Sequence, residues 1–334
     1  MQAWFLERYG TPERNLVLRE QAAAAPGRGE VAVRVEAVSL NPVDLKTVQG
    51  ESKLILPMKP PFVVGVDFAG VVEALGEGVS GVQPGERVIA YTGMAAMGAF
   101  AERVVVPAQI LGRAPMGWSM AEAATLPLPA LCAQQSLDAA GLQRGQRLLV
   151  HGGGGAVGSL AVQLAARRGA VVVATAGPRD VERVRALGAS VVVDYTASRF
   201  ESVTPENDVV FDTVGGETLA RSFGVVKRGG KVVSLHGAPS VEAMRAAGLR
   251  PPWFLGLLLP LVGWGSARKA KAAGAQFLPQ ITVPDGAALS AVSQLDIAKS
   301  PIDQCFSFAE LPAAFARLSS GQARGRICLV RSAT

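Results

Sequence analysis

Arg147-Leu148-Leu149-Val150-His151-Gly152-Gly153-Gly154-Gly155-Ala156-Val157-Gly158 carries a short apolar segment into a glycine cluster, and Ser159-Leu160-Ala161-Val162-Gln163-Leu164-Ala165-Ala166 continues with helical apolar spacing. The pattern predicts strand, tight turn and helix. Gly153, Gly155 and Gly158 stand at the G-x-G-x-x-G spacing. Glycine is needed there because side chains would hold a pyrophosphate away from the backbone. The helix that follows offers free N–H groups and the positive end of its dipole to the anion. The spacing alone is weak evidence; its place between a strand and a helix makes it a dinucleotide-binding signature.

The same rhythm extends outward from this turn. Short apolar strands are predicted at Arg147–Val150, Ala170–Ala174, Ser190–Asp194, Asp208–Asp212 and Lys231–Leu235. Helices are predicted at Ala156–Arg168, Arg179–Leu187, Gly216–Val226 and Val241–Ala247. Buried strands alternating with helices imply an α/β fold with a doubly wound parallel sheet, whose first strand-to-helix turn is the glycine loop. Before Met120 the chain alternates with period two instead, as in Val31–Val38 and Phe100–Val106, between Gly and Pro turns. That part is predicted to be a β-rich, barrel-like domain. From Ala275 the pattern is mixed again, and the tail is expected to pack back on the first domain.

Composition narrows the class. With 334 residues, 49% hydrophobic and 18% charged, the chain has material for a large core and is not a disordered protein. The net charge of +6 is spread in small groups such as Arg167-Arg168 and Lys227-Arg228, without the clustering a nucleic-acid surface requires, so no nucleic-acid partner is expected. Three scattered cysteines and two histidines give neither a zinc ligand set nor a disulfide framework, which favours a reducing compartment. Met1–Glu7 has no basic segment leading into an apolar core, and a cytoplasmic location is expected. The apolar stretch Trp253–Gly265 is too short for a membrane span and is interrupted by Pro260. It is expected to be buried at a subunit contact or over a substrate pocket, with contact to an anionic membrane surface as the alternative.

The tip of the second strand bears on the cofactor. Sheets that bind NAD usually place a carboxylate there for the ribose 2′-hydroxyl. Here Val171-Val172-Val173-Ala174 leads into Thr175-Ala176-Gly177-Pro178-Arg179, with Asp180 later, where it opens the next helix. Arg179 and Arg183 either receive a 2′-phosphate or form a solvated helix face. The neutral tip favours NADPH.

Taken together, Asn41-Pro42-Val43-Asp44, Gly65–Val72, Pro84–Val88, Gly98–Glu102, Ala124–Pro127, Val150–Gly158, Val210–Gly216 and Gly230–Val233 resemble, in order, the medium-chain dehydrogenase/reductase superfamily in its zinc-free quinone oxidoreductase branch. Zinc-containing relatives have Cys in place of Asn41 and Gly-His-Glu in place of Gly65-Val66-Asp67. The resemblance therefore implies no metal ligands and no Lewis acid for alcohol oxidation. It implies a GroES-like catalytic domain, residues 1–123 completed by 275–334, and a Rossmann domain over 124–274. It also implies NADPH, a homodimer, and hydride transfer to a quinone or an α,β-unsaturated carbonyl, whose developing charge is delocalised enough for hydrogen-bond donors to suffice. An enoyl-thioester reductase, or an NADPH-binding protein with little catalytic activity, are the alternatives.

Carried over by motif, Asn41, Asp44 and Lys46 are the catalytic candidates. Lys46 either donates toward the substrate oxygen or is a surface lysine after a turn. The cofactor candidates are Gly153, Gly155, Ala156, Val157 and Gly158 for the pyrophosphate, Ala176, Arg179 and Tyr195 toward the adenosine, and Val214, His236 and Arg326. His151 is read as structural. Phe277 and Leu278 are read as a pocket wall or as core. Cys132 stands where relatives often have Thr, and the run Gly152–Gly155 replaces a more usual Ala-Ser-Gly-Gly.

Overall fold

The computed structural model describes residues 1–53 and 57–331. The chain divides into two compact units, Met1–Leu131 with Ala247–Pro251 and Val283–Thr334, and Cys132–Ala246 with Pro252–Thr282. Each unit has its own sheet architecture.

The second unit is built on a six-stranded parallel sheet. Its strands lie in the order Val191–Asp194, Val171–Ala176, Arg147–Val150, Asn207–Asp212, Val226–Ser234 and Gln276–Pro279. In chain order this is 3-2-1-4-5-6, the doubly wound arrangement. Apolar, largely β-branched strands such as Leu148-Leu149-Val150 and Val172-Val173-Ala174 are fully buried, as expected of strands covered on both faces. The strand order reverses between Arg147–Val150 and Asn207–Asp212, and in such sheets ligands bind beyond the carboxyl ends of the strands at that point. The glycine turn leaves the first of these strands, and Thr213–Gly215 leaves the second.

The first unit contains a seven-stranded mixed sheet. Glu30–Ser39 lies between Arg326–Val330 and Asp67–Leu75, and Arg103–Pro107 also pairs with it. Its valines and alanines are buried on both faces, which is why its period-two pattern is incomplete. A three-stranded sheet of Leu16–Glu20, Gln2–Leu6 and Phe62–Val63 shares its core, around Val35, Phe68, Phe100 and Phe315. This β-rich unit and the parallel sheet give the GroES-like and Rossmann-type architecture that the sequence predicts.

Two local expectations are revised. The helix predicted over Gly216–Val226 ends at Ser222, and Val226 already begins the fifth strand. The tail does not join the first unit as a whole. Gln276–Pro279 adds a sixth strand to the parallel sheet, with Phe277 edge-on to Phe223 at 5.7 Å, and only from Val283 does the chain belong to the first unit. Most of Trp253–Gly265 lies in the helix Leu255–Ala273, where Leu255 is buried and Leu257, Leu258, Leu261, Val262 and Trp264 are exposed within this chain.

Candidate functional site

In the second unit, the helix Ala156–Arg167 begins with Gly155 as N-cap. The N–H of Ser159 is bonded to the carbonyl of Gly155, so the N–H groups of Ala156, Val157 and Gly158 are the ones an α-helix leaves without an internal acceptor. The backbone is compressed beside them. Gly152 has φ +72°, and a Cβ there would stand 2.6 Å from Thr213 Oγ1. A Cβ on Gly158 would lie 2.1 Å from the carbonyl oxygen of Gly152. The additional glycine has a local cause too: a Cβ on Gly154 would stand 2.8 Å from the Asp180 carboxylate. A turn in which side chains are excluded, followed by three free N–H groups, fits a pyrophosphate.

The neighbouring strand ends are tied down around this turn. Asp212 is fully buried and accepts from the N–H groups of Val214 at 3.1 Å and Gly215 at 3.0 Å and from Ser234 Oγ at 2.7 Å. His236 Nε2 lies 3.0 Å from the Thr213 carbonyl, and Thr213 Oγ1 donates to the His151 carbonyl at 2.8 Å. His151 itself is enclosed, between Thr175 Oγ1 and Ser222 Oγ and edge-on to Phe200. Burial holds its pKa down to about 4, so it is neutral at physiological pH, and its role is structural.

At the second-strand tip, Ala176 is buried, Arg179 is exposed and Tyr195 is 65% exposed beside Gly177. Arg183 is half-buried rather than free in solvent. It donates to the Gly154 carbonyl at 2.6 Å and to Asp180 at 2.7 Å, so that it ties the helix Val181–Ala186 to the glycine turn. Asp180 occupies the N-cap position of that helix without capping it, because its carboxylate is held by Arg183.

The first unit holds a second constellation, assembled by strand register. Ser39 is opposite Cys328 on one side and Asp67 on the other. Arg326, at the start of its strand, donates through Nη2 to Ser39 Oγ at 2.7 Å and Asn41 Oδ1 at 2.8 Å, and lies 3.8 Å from Asp67 Oδ2. Asn41 Nδ2 donates to Asp67 at 2.9 Å and to the Ser39 carbonyl at 3.3 Å. Asp67 also accepts from the Leu128 N–H at 3.0 Å. Asp44 accepts from the Asn41 N–H at 2.8 Å and so fixes the first turn of the helix Pro42–Gln49. Burial pushes the Asp67 carboxyl up to about 8 and the Asp44 carboxyl up to about 7, against the lowering pull of Arg326 and of hydrogen bonds from Asn41.

This geometry bears on three expectations. Both N–H bonds of the Asn41 carboxamide are committed, and Asn41 is 1% exposed. Asp44 is fully buried. In this unit their bonds hold the start of the helix that carries Lys46. Arg326, expected at the cofactor, is 7% exposed and holds Asn41 and Ser39. Lys46 is exposed on that helix and makes no ion pair among the described residues. The constellation does not fit zinc. The metal-ligand positions carry Asn41 and Val66, the adjacent Asp67 faces a guanidinium, and no group of three His, Cys, Asp or Glu side chains suited to a metal occurs among the described residues.

A family model described as the alcohol dehydrogenase GroES-like domain matches residues 27–116, and one described as zinc-binding dehydrogenase matches residues 187–329. The mitochondrial NAD(P)H oxidoreductase RTN4IP1 of Danio rerio is 31% identical over 98% of this chain and 90% of its own length. The chain belongs to the medium-chain dehydrogenase/reductase superfamily, in its quinone oxidoreductase branch. The 2-methylene-furan-3-one reductase of Solanum lycopersicum is 37% identical over 73% of this chain, a match that spans 64% of the tomato protein. Among solved structures, the quinone oxidoreductase from Coxiella burnetii superposes with a TM-score of 0.82 at 27% identity, covering 99% of both chains.

Within this superfamily frame, the sequence reading missed Asp212 as the organiser of its strand end, and it missed the Ser39–Asn41–Asp67–Arg326 cluster. A signal for Asp212 was present. An aspartate that ends an apolar strand and precedes Thr-Val-Gly-Gly is placed to accept from the N–H two residues on, the Asx turn observed at Val214. The cluster depends on pairing between distant strands and has no local signal.

Proposed function

We propose that this superfamily member is an NADPH-dependent, zinc-independent reductase of quinones or α,β-unsaturated carbonyls. The observation that carries the reading is the glycine cradle, where the free N–H groups of Ala156, Val157 and Gly158 meet a backbone too crowded for side chains at Gly152 and Gly158. When bound there, a reduced nicotinamide dinucleotide supplies hydride. Gly153, Gly155 and the three N–H groups hold the pyrophosphate. Ala176, Arg179 and Tyr195 receive the adenosine end, and Arg179, which has no ion pair among the described residues, offers its cation to a 2′-phosphate. Val214 and His236, fixed by Asp212 and Thr213, border the cofactor at the switch point.

Zinc independence rests on the chemistry of the donor set. A guanidinium and an amide meet at Asp67, and neither is a zinc ligand at neutral pH. With no Lewis acid, acceptors whose charge is delocalised are the ones the chain can serve, and Lys46 is the exposed donor for the developing oxyanion. The first unit, Met1–Leu131 with Ala247–Pro251 and the tail from Val283, is the catalytic one, and the second, Cys132–Ala246 with Pro252–Thr282, holds the cofactor. The family resemblance implies a homodimer, and the three scattered cysteines favour a cytoplasmic setting.

The test is an acceptor panel run with NADPH and NADH in parallel: 9,10-phenanthrenequinone, 1,4-benzoquinone, alkenals and crotonyl thioesters, each with and without a chelator. The expected outcome is turnover of quinones or alkenals that prefers NADPH and ignores the chelator. Thioester turnover alone would establish the enoyl-thioester alternative. NADPH binding without turnover of any acceptor would overturn the enzymatic reading.

A further inference from the structure

We propose that the amino-terminal half of the helix Leu255–Ala273, with Trp253 just ahead of it, docks this protein on the surface of an anionic lipid bilayer. The inference stands on a different part of the molecule from the hydride chemistry and does not depend on it.

The helix is anchored by few of its residues; Leu255 and Ala270 are the ones buried. The rest of its first half projects outward and is apolar. Trp253 is 82% exposed, Leu257 68%, Leu261 72%, Val262 74% and Trp264 60%, with Leu258 beside them at 46%. Other exposed large apolar residues, such as Val17, Met116 and Leu295, are scattered through the sequence. Isolated ones need no explanation, whereas six within twelve positions of one segment form a binding surface.

Charge decides what the surface binds. The last turns of the same helix carry Arg268, Lys269 and Lys271, and Arg268 stacks over Trp264 at 5.3 Å. Arg228, on the strand Val226–Ser234, lies against the helix end near Gly274. Between Glu242 and Asp285 the chain has Arg245, Arg250, Arg268, Lys269 and Lys271 and no carboxylate. Exposed apolar and indole side chains beside a cluster of cations suit an anionic interface, with the indoles at headgroup depth and the cations against the lipid phosphates. No helix among the described residues is long and apolar enough to cross a membrane, so the contact is interfacial. A second copy of this chain is a poorer partner. The segment offers a second copy no charge complementarity, since between Glu242 and Asp285 it carries five cations and no carboxylate.

The test is flotation of the full-length protein with vesicles of phosphatidylcholine alone and with three parts in ten of phosphatidylserine, at low and at high salt. The expected result is flotation with the serine lipid that salt weakens, and little with phosphatidylcholine alone. The variant R268Q/K269Q/K271Q is expected to bind about 100-fold more weakly, at about fivefold per cation. L257Q/L261Q/W264Q is expected to stay at the bottom of the gradient, with its circular dichroism and its turnover of a water-soluble quinone unchanged. The proposal is overturned if the wild type does not float with phosphatidylserine, or if the apolar variant floats like the wild type. It is also overturned if sedimentation velocity shows that this variant splits a wild-type dimer, since a second copy would then cover the helix.

Discussion

Arg326 reaches across from its own strand to donate to Asn41 Oδ1 at 2.8 Å while standing 3.8 Å from Asp67 Oδ2, in an enclosed site with a second carboxyl, Asp44, one helical turn away. One guanidinium therefore serves two buried carboxyls, and the cluster holds a proton over part of the physiological range. Asp67 and Asp44 titrate near 8 and 7 in the folded protein against an ordinary value of 3.8. A carboxyl raised on folding gives stability that is complete below the unfolded value and is lost as pH rises through the folded one. The wild type is thus expected to lose stability between about pH 4 and pH 8 through this cluster. Arg326→Met loses the bonds to Ser39 and Asn41 at every pH and, with them, the charge that opposes Asp67's burial, so its cost is expected to be smaller at pH 5, where Asp67 is protonated. At pH 9, where the carboxylate is left unpaired, it should reach about 3 kcal/mol. Urea unfolding of both proteins at the two pH values measures this; an equal loss at pH 5 and pH 9 would contradict the assignment.

The glycine turn makes a steric prediction. In Gly158→Ala the new methyl would start 2.1 Å from the Gly152 carbonyl oxygen, a backbone atom that cannot turn aside as a flexible side chain would. The turn must open and misalign the N–H groups of Ala156 and Val157. The expected result is at least a tenfold rise in the Kd for NADPH by calorimetry and a stability loss of about 1–3 kcal/mol. Gly117→Ala is a useful contrast. Gly117 also has positive φ, at +73°, but a Cβ there meets nothing within 4 Å, so it should cost stability and leave NADPH binding alone.

Much of this fold is legible locally. The parallel sheet follows from strands of four to nine residues separated by helices, and the glycine turn marks its first crossover. What the sequence hides is set by distant pairing. Arg326 meets Ser39 and Asn41 across 287 and 285 residues, through the register of Cys328 opposite Ser39, and no periodicity announces that contact. Gln276–Pro279 is similarly hidden. It reads as part of a mixed tail, but an open edge beside Val226–Ser234 and the ring of Phe223 draw Phe277 into the sheet. The motif string Asn-Pro-Val-Asp marks the segment but not which of its side chains are enclosed. Asn41 and Asp44 are buried, and the exposed group on the helix is Lys46.

Lys46 is accordingly the residue whose loss should separate chemistry from binding. Lys46→Met is expected to lower kcat with a quinone or alkenal about 100-fold and to leave the Kd for NADPH unchanged, since the helix start is held by Asp44 and Asn41. Lys46→Arg keeps a donor and should recover part of the rate. Stopped-flow NADPH oxidation with a saturating acceptor measures both. A full rate in Lys46→Met would make it the surface lysine of the alternative reading.

The two arginines after the second strand carry opposite expectations, and the contrast separates cofactor recognition from architecture. Arg179 is exposed and has no ion pair among the described residues, so a 2′-phosphate would be a new partner for it. Arg183 is committed to the Gly154 carbonyl and to Asp180. Arg179→Gln should therefore lower kcat/KM for NADPH about tenfold, the effect of one charge-assisted contact, while leaving NADH turnover as it was. Arg183→Gln should affect both cofactors alike. It releases Asp180 beside a turn where Gly154 leaves no spare room, so KM should rise for each and the melting temperature should fall. Steady-state kinetics with the two cofactors on both variants decides the matter. A loss of the NADPH preference in Arg183→Gln but not in Arg179→Gln would move the phosphate site from the exposed arginine to the tethered one.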